Sequence, residues 1–137
     1  KEWIRTYSLG EIIQKIGFLQ IIHIQNTGAA FGIFQGHSVA LAIIAVVEVL
    51  ILLGLACYVY RRLPYLITTW NQIALGLILG GAIGNLIDRL RFSGNVTDFL
   101  DPGFWPAFNA ADSGVTIGAI MLAITILRLA LREKRQS

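Results

Sequence analysis

Two aspartates, Asp98 and Asp112, are the residues of this sequence whose type and spacing best suit catalysis. Two carboxyl groups that converge share a proton, because like charges at close range do not both ionise cheaply. One then acts as a base on a water molecule while the other donates to a substrate carbonyl, and the pKa values belong to the pair. Pro102 and Pro106 separate the two aspartates, so they meet only if the connecting loop folds back.

Each aspartate also has a purely structural interpretation. Asp112 immediately precedes an apolar stretch, where it or Asn109 can cap a helix and favour its positive end. Asp98 is flanked by Val96 and Phe99, in what we expect to be an interfacial strand or turn. A carboxylate among apolar neighbours is either solvated or used in chemistry. Asp98 is therefore the stronger candidate of the two for a catalytic residue.

A second polar cluster closes the apolar stretch that precedes the loop. Asn85 and Asp88 are three residues apart, which places them on one side of a helix. The structural alternative for Asp88 is an interfacial charge pair with its neighbour Arg89. The same stretch has glycines at a spacing of four, which predicts a contact face with another helix: Gly76, Gly80 and Gly84.

Other kinds of chemistry find little support. Metal hydrolysis would have to use His23 and His37, which lie in different segments with no metal-ligand spacing, so we predict neither a metal nor a cofactor. No serine lies in a nucleophile elbow, and no phosphate-binding loop or basic aromatic nucleic-acid surface is present. Nucleic acid is therefore excluded as a partner.

Glu48 supports an alternative function of a different class. It lies near the middle of an apolar stretch, where a carboxyl group must be neutral, paired or in contact with water. A small membrane transport or scaffold subunit would place Glu48, Asp88 and Asp98 along an ion path. That alternative predicts that Glu48 matters most, whereas a peptidase depends on Asp98.

The composition identifies the environment in which these residues act. Of 137 residues, 55% are apolar and only 14% are charged, about half the charged fraction of a soluble domain. Mean hydropathy is +0.68. These values predict an α-helical integral membrane protein with one domain over residues 1–137. Three stretches are long and apolar enough to cross a bilayer: residues 39–60, 70–89 and 113–131.

The basic residues predict the orientation. Arg61 and Arg62 follow the first span, and four basic residues follow from Arg128, so both regions are expected in the cytoplasm. The loop over residues 90–112 and the segment over residues 1–36 then lie on the extracytoplasmic side. Since such a chain starts outside and Met121 is its only methionine, we interpret it as a fragment of a four-span protein.

The first segment is predicted to be β-rich. Residues 18–25 read Phe-Leu-Gln-Ile-Ile-His-Ile-Gln and precede the turn signal Asn26-Thr27-Gly28. With residues 9–16 before them, they predict a small hairpin at the membrane surface.

Four segments together resemble the lipoprotein signal peptidases (signal peptidase II), the membrane aspartyl endopeptidases of bacteria. They cover most of the chain in order: Asn26-Thr-Gly-Ala-Ala-Phe-Gly-Ile-Phe34, Gly80-Gly-Ala-Ile-Gly-Asn-Leu-Ile-Asp-Arg-Leu90, Val96-Thr-Asp-Phe99 and Phe108-Asn-Ala-Ala-Asp-Ser113. The resemblance implies a catalytic dyad of Asp98 and Asp112. It further implies a polar shell that holds the dyad and the substrate backbone: Asn26, Asn85, Asp88, Arg89 and Asn109.

The same resemblance implies a substrate and a location. The family cleaves the signal peptide of diacylglyceryl-modified prolipoproteins just before the lipidated cysteine, without a metal or cofactor. Its fold is a four-helix membrane bundle with a small extracytoplasmic β-cradle, in the bacterial inner membrane, with the active site on the extracytoplasmic side. Membrane lipid as a partner, a monomeric state and inhibitors of the globomycin type are further implications. The family's first transmembrane helix is absent here, with Lys1 at or just past its end, and Glu48 is outside the family pattern.

Overall fold

The computed structural model describes residues 1–27 and 38–136. In these ranges the chain forms three helices and three strands. In chain order they are β1 (Ile12–Ile16), β2 (Leu19–Asn26), α1 (Ser38–Arg62), α2 (Thr69–Arg91), β3 (Val96–Asp101) and α3 (Ala110–Gln136). Short 3-10 turns occupy Ile4–Thr6 and Pro64–Leu66. His37 and residues 28–34 of the first family segment lie outside the described residues.

All three helices are long and apolar enough to cross a membrane, over Val39–Arg62, Thr69–Arg91 and Ala110–Arg132. The expected fold class, a membrane helix bundle with a small sheet, is therefore confirmed. Each helix extends beyond the predicted span, because helical hydrogen bonding continues through polar residues that lie at the interface. Arg61 and Arg62, for instance, form the last turn of α1.

Glycines bring α2 and α3 into close contact. A Cβ atom added to Gly81 would lie 2.4 Å from the carbonyl oxygen of Ala111, and one added to Gly118 would lie 2.5 Å from that of Ala74. Real Cβ atoms essentially never approach this closely. The two backbones therefore pack directly against each other, as small residues allow in membrane helices.

The predicted glycine face is not the one that packs closely against α3 in the part of the chain that the structure describes. A Cβ atom added to Gly76 or Gly80 would have no described atom within 4 Å, and one on Gly84 would only reach ordinary contact with Ala111 at 3.6 Å. The contact uses Gly81 instead, which lies about 100° around the helix from Gly80. The spacing of glycines shows that a close approach is available, but which side of the helix faces its neighbour depends on the bundle.

The strands form one antiparallel sheet in the order β1-β2-β3. The predicted hairpin is confirmed: Ile16 pairs with Leu19 across a two-residue turn that begins at Gly17, whose φ of +62° suits glycine. The first strand is shorter than the predicted 9–16. Pairing of β2 with β3, including Ile24 with Asp98, joins the amino-terminal segment to the loop between α2 and α3.

Candidate active site

The loop between α2 and α3 folds back, as convergence of the two aspartates requires. Asp98 lies in β3 and Asp112 in the first turn of α3. Between them, Leu100 and Phe108 pair as an isolated antiparallel bridge, with backbone hydrogen bonds of 2.9 and 3.0 Å. This bridge closes the loop and brings Asn109, the residue before α3, next to Asp98.

Asn109 connects the two carboxyl groups. It is fully buried, and its Nδ2 donates to Asp98 Oδ1 at 2.6 Å. Its backbone N–H donates to Asp112 Oδ2 at 2.9 Å. One asparagine therefore orients both aspartates through two different groups.

Asn109 is also the cap of α3. Its Oδ1 accepts hydrogen bonds from the backbone N–H groups of Ala111 and Asp112, at 2.7 and 3.3 Å. Asp112 accepts from the Asn109 N–H in return, in the reciprocal pattern of a capping box. The structural interpretation of both residues is therefore confirmed, and it is compatible with a chemical role because the capping interactions fix the orientation of the Asp112 side chain.

Asp98 is almost completely buried, with 2% of its surface exposed. Besides the bond from Asn109, its Oδ2 accepts from Nδ2 of Asn26 at 3.0 Å. Burial raises the pKa of the Asp98 carboxyl above its ordinary value of 3.8; the negative charge of Asp112 acts in the same direction, and the two amide hydrogen bonds oppose it only in part. Asp98 is thus the member of the pair that holds a proton more readily than a free carboxyl group.

The second carboxylate oxygen of Asp112, Oδ1, also accepts a hydrogen bond from an asparagine side chain. Nδ2 of Asn85 donates to Asp112 Oδ1 at 2.7 Å. The Asn85 Oδ1 in turn accepts from Lys1 Nζ at 2.8 Å and from Asn109 Nδ2 at 3.2 Å. Each aspartate therefore receives one hydrogen bond on each oxygen, from asparagine side chains and one backbone N–H.

Asp88 is buried beside the pair and held by cations. Arg5 Nη2 lies 2.6 Å from its Oδ1 and Lys1 Nζ lies 3.0 Å from its Oδ2, which also accepts from the Thr97 N–H at 3.1 Å. The alternative of a charge pair with Arg89 is therefore wrong. Because Thr97 directly precedes Asp98, the Asp88 contact ties the strand that carries Asp98 to the end of α2.

Sequence reasoning missed Lys1, Arg5 and Thr97. Arg5 also donates from Nε to Thr97 Oγ1 at 2.8 Å, and its guanidinium lies 4.0 Å from the centre of the Phe92 ring. One signal was available: Lys1 and Arg5 belong to a segment predicted on the same side of the membrane as the aspartate-rich loop. Opposite charges on one side of a membrane are natural partners, although their order along the chain does not say which pairs form.

Arg89 lies apart from these hydrogen bonds. Its Nε is buried and, within the described part of the chain, has no hydrogen-bond partner. The side chain lines a cleft of about 540 Å³ between α1 and α2, together with Val39, Ile43 and Val47 of α1. The structure therefore brings Asn26, Asn85 and Asn109 onto the aspartates and Asp88 beside them, but it does not bring Arg89 into that cluster.

Glu48 does not join the other acidic residues. It is exposed on α1, and it has no hydrogen bond or ion pair with any other residue in the ranges that the structure describes. A path through Glu48, Asp88 and Asp98 is therefore not assembled in this part of the chain. Among the same residues, no group of three or more histidine, cysteine, aspartate or glutamate side chains is arranged to hold a metal ion.

Comparison with known proteins identifies the family. A family model described as signal peptidase (SPase) II matches residues 1–128, nearly the whole chain. The chain belongs to the signal peptidase II family. Enzymes of this family remove signal peptides from prolipoproteins, so the family and the activity expected from the sequence motifs are both confirmed.

Curated relatives agree with this assignment. The lipoprotein signal peptidase of Dehalococcoides mccartyi (strain ATCC BAA-2100 / JCM 16839 / KCTC 5957 / BAV1) is 49% identical over 115 residues, which are 84% of this chain and 71% of that protein. The lipoprotein signal peptidase of Moorella thermoacetica is 38% identical over 138 residues, covering 99% of this chain and 88% of the relative.

Solved structures support the same fold. Two structures titled as bacterial membrane enzymes, determined by the in meso method, superpose with TM-scores of 0.75 and 0.71 at 35% and 36% identity. The first match covers 90% of this chain and 74% of the solved one, and the second covers 89% and 78%. This signal peptidase II family member is therefore a multi-pass membrane peptidase whose substrate is a prolipoprotein.

Proposed function

We propose that this chain is an aspartic endopeptidase in which Asp98 and Asp112 activate the water that cleaves the substrate. The observation that carries the proposal is the position of Asn109, which donates from its side chain to Asp98 and from its backbone to Asp112. A shared donor holds two carboxyl groups next to each other, and adjacent carboxyl groups can share a proton. The raised pKa of Asp98 supports this assignment.

The two aspartates take opposite roles in the reaction. Asp112 removes a proton from water, and the water oxygen bonds to the scissile carbonyl carbon. Asp98 gives its proton to the carbonyl oxygen, which yields a neutral tetrahedral diol. When the carbon–nitrogen bond breaks, the proton on Asp112 passes to the leaving amine and a diol hydroxyl returns a proton to Asp98. Both carboxyl groups then have their initial protonation states.

The surrounding polar residues hold this arrangement. Asn26, Asn85 and Asn109 fix the four carboxylate oxygens through the hydrogen bonds described above. Asp88 holds the strand of Asp98 against α2. Arg89 is free to contact the substrate from the cleft between α1 and α2. Because both aspartates and their donors belong to one chain, we propose that residues 1–137 act as one domain and as a monomer, with residues 90–112 as the active-site loop.

The location follows from the charge distribution. Arg61 and Arg62 end α1 and Lys134 and Arg135 end α3, and these ends lie on the side of the membrane opposite to the sheet. We therefore propose the bacterial inner membrane, with the aspartates on the extracytoplasmic side. There the diacylglyceryl chains of the substrate remain in lipid, and the peptide bond before the lipidated cysteine meets Asp98 and Asp112. Inhibitors of the globomycin type are expected to occupy the same place.

The test is cleavage of a diacylglyceryl-modified prolipoprotein by the full-length protein in lipid vesicles. We expect Asp98→Asn and Asp112→Asn each to lower kcat by about 10²- to 10⁴-fold, the usual contribution of a general acid or base. Asp101→Asn is the matched control, because Asp101 ends the same strand and its side chain accepts from the Gly103 N–H, away from both candidate aspartates. The same prolipoprotein without diacylglycerol tests the substrate class.

Two results would overturn the proposal. Cleavage that survives in either the Asp98 or the Asp112 variant would exclude the aspartic mechanism. Equal cleavage of substrate with and without diacylglycerol would exclude the proposed recognition of lipid. Thermal unfolding of each variant shows whether lost cleavage reflects lost chemistry or a lost fold.

A further inference from the structure

Three large aromatic side chains gather at one end of the sheet, away from any core. Phe18 lies in the turn between β1 and β2, and Phe104 and Trp105 lie in the loop after β3. The rings of Phe18 and Phe104 are 6.0 Å apart between centroids. Their exposed fractions are 71% for Phe18, 79% for Phe104 and 58% for Trp105. We call these three residues the aromatic tip.

The loop that carries Phe104 and Trp105 is restrained by its own hydrogen bonds and prolines. The Gly103 N–H donates to Asp101 Oδ1 at 2.8 Å, and Gly103 has a φ of +79°, which a glycine adopts without strain. Pro102 and Pro106 flank the two aromatic residues and restrict the backbone further. The paired residues Leu100 and Phe108 close the base of the loop. Large apolar rings are therefore presented to the surroundings by a stiff backbone rather than by a loop that can fold over them.

The aromatic tip is separate from the two aspartates. Gln20 pairs with Asp101 at the end of the sheet near the tip, whereas Ile24 pairs with Asp98. At a rise of about 3.3 Å per residue, Asp98 and Asp101 are about 10 Å apart along the strand. The exposed rings lie beyond Asp101, so they are not part of the hydrogen-bonded cluster around Asp98.

The position of the loop relative to the helices indicates what covers the rings. Phe108, at the base of the loop, is two residues from Ala110, where a membrane-spanning helix begins. The base of the loop therefore lies next to the point at which the chain enters the bilayer, and Phe104 and Trp105 are within four residues of that base. Tryptophan is enriched at the level at which membrane helices begin, and the exposed Lys15 on β1 adds a positive charge suited to lipid phosphates.

We propose that the aromatic tip inserts into the headgroup region of the outer leaflet and anchors the sheet to the membrane surface. The partner is the lipid bilayer in which α1, α2 and α3 already lie. If the sheet projected into water, the apolar surface of the three rings would stay exposed to water. At the membrane–water interface the rings are buried in lipid, while the indole N–H stays near polar headgroups. This anchor fixes the height of β3, and hence of Asp98, above the hydrocarbon. The anchoring does not depend on the proposed catalytic roles.

The test measures the depth of Trp105 by fluorescence. A protein with Trp3→Phe and Trp70→Phe keeps Trp105 as its single tryptophan. It is reconstituted into phosphatidylcholine and phosphatidylglycerol vesicles whose chains carry bromine either near the ester or near the chain end. We expect strong quenching by the shallow bromine, weaker quenching by the deep bromine and protection from aqueous iodide. The single-Trp70 protein is the control, because Trp70 begins the spanning helix α2.

A second variant keeps the test decisive if the single-tryptophan protein fails to fold. Quenching by brominated lipid is measured for the parent and for Trp105→Phe, which both keep Trp3 and Trp70. The difference between the two measurements is the signal of Trp105. Phe18→Ser with Phe104→Ser is then expected to remove most of that signal. The exposed aromatic Tyr65, between α1 and α2, supplies the matched Tyr65→Ser control, which should leave the Trp105 signal intact.

Three results would overturn the anchor. If iodide quenches Trp105 and brominated lipid does not, Trp105 lies in water. Protection that disappears on dilution of the protein within the vesicles indicates a second copy of the chain. Protection that arises only when prolipoprotein is added indicates a substrate contact. None of these measurements uses cleavage, so failure of the anchor is distinguishable from failure of the aspartic mechanism.

Discussion

The side-chain amide of Asn109 donates a 2.6 Å hydrogen bond to Asp98, and its carbonyl oxygen caps the helix that carries Asp112. The nitrogen and the oxygen of the same amide group therefore have different functions. Nδ2 orients one carboxyl group, while Oδ1 satisfies backbone N–H groups that would otherwise be unpaired at the start of α3. Structural and chemical requirements on Asn109 can therefore be separated by substitution.

Asn109→Ala removes both ends of the amide. We expect a stability loss of about 1 kcal/mol from the lost cap. Cleavage should fall by about 10²-fold, because a small displacement of a reacting group has an effect of that size. The measurements are thermal unfolding in detergent and kcat for the lipidated substrate.

Asn109→Ser separates the two tasks. Serine keeps an oxygen that can cap α3 but has no group that reaches Asp98 in the position of Nδ2. We therefore expect unfolding close to that of the parent together with low kcat. A serine variant that is as active as the parent would show that Asn109 acts only as a cap.

The stability of the protein should depend on pH through Asp98. Its pKa is raised above 3.8, by burial first and by the charge of Asp112 as well. Between 3.8 and the folded-state pKa, the folded protein binds more protons than the unfolded chain, so stability decreases as pH rises. The contribution of protonated Asp98 is complete below 3.8 and is lost as pH increases through the folded-state pKa. Tm measured across this window should show the decrease.

Asp98→Asn should remove that part of the pH dependence, because asparagine does not ionise. Asp101→Asn, on the same strand, should retain it. If both variants follow the pH profile of the parent, another group is responsible for the decrease. In the parent, loss of the Asp98 proton should also define the high-pH limb of kcat.

Arg5 and Arg91 offer a matched pair for the energetics of Asp88. Both contact Glu2 and both lie over the Phe92 ring, but only Arg5 reaches the buried Asp88. The Arg5 and Asp88 side chains are 14% and 6% exposed. We expect Arg5→Met to lower the free energy of unfolding by about 2 kcal/mol, because it removes a buried charged hydrogen bond to Asp88, which keeps Lys1 as its remaining cation.

Arg91→Met is the control for the shared contacts. Its pair with Glu2 is exposed, at 59% and 68%, so the loss should be about 1 kcal/mol or less. Denaturation of the two variants under identical conditions gives the difference. Equal losses would mean that the Asp88 contact contributes little and that Glu2 and Phe92 account for the effect.

Gly81 and Gly80 test the packing of α2 against α3. Alanine at position 81 places a methyl group where the carbonyl of Ala111 and the side chain of Val115 already lie, at 2.4 and 2.7 Å. Overpacking of this kind lowers stability by about 1–3 kcal/mol. Thermal unfolding of Gly81→Ala should show a lower Tm than the parent.

Gly80→Ala is the control for Gly81→Ala. Position 80 adjoins position 81 in the sequence, but no described atom lies within 4 Å of the methyl group that alanine adds there. Alanine is the better helix former by about 1 kcal/mol, so this variant should equal or exceed the parent in Tm. A lower Tm for Gly80→Ala than for Gly81→Ala would mean that α2 packs with the other face.

Much of the fold was accessible from the sequence because the signals are local. Hydropathy over some twenty residues is enough to predict a spanning helix, and all three spans were found. The hairpin before Asn26 followed from a β-rich run between turn residues. Helix ends were less accurate, since α1 continues through Arg61 and Arg62 once the polar interface can solvate them.

The glycine face shows where local information ends. Regular spacing of Gly76, Gly80 and Gly84 suggested the contact, yet Gly81 makes it. All the elements that pack against a helix together determine its rotation about its own axis. Small residues lie on more than one face of α2, so the sequence alone does not show which face makes the contact.

The sequence by itself determined the membrane class and the family motifs and pointed to the two aspartates as candidates, because residue type and hydropathy are properties of short segments. Tertiary structure decided the partners. Asp88 pairs with Arg5 and Lys1, more than eighty residues away, rather than with adjacent Arg89. Asn109 reaches Asp98 only because β3 and α3 meet across a folded loop. Hydrogen bonds and ion pairs depend on distances of about 3 Å in space, and such distances follow from packing of whole elements.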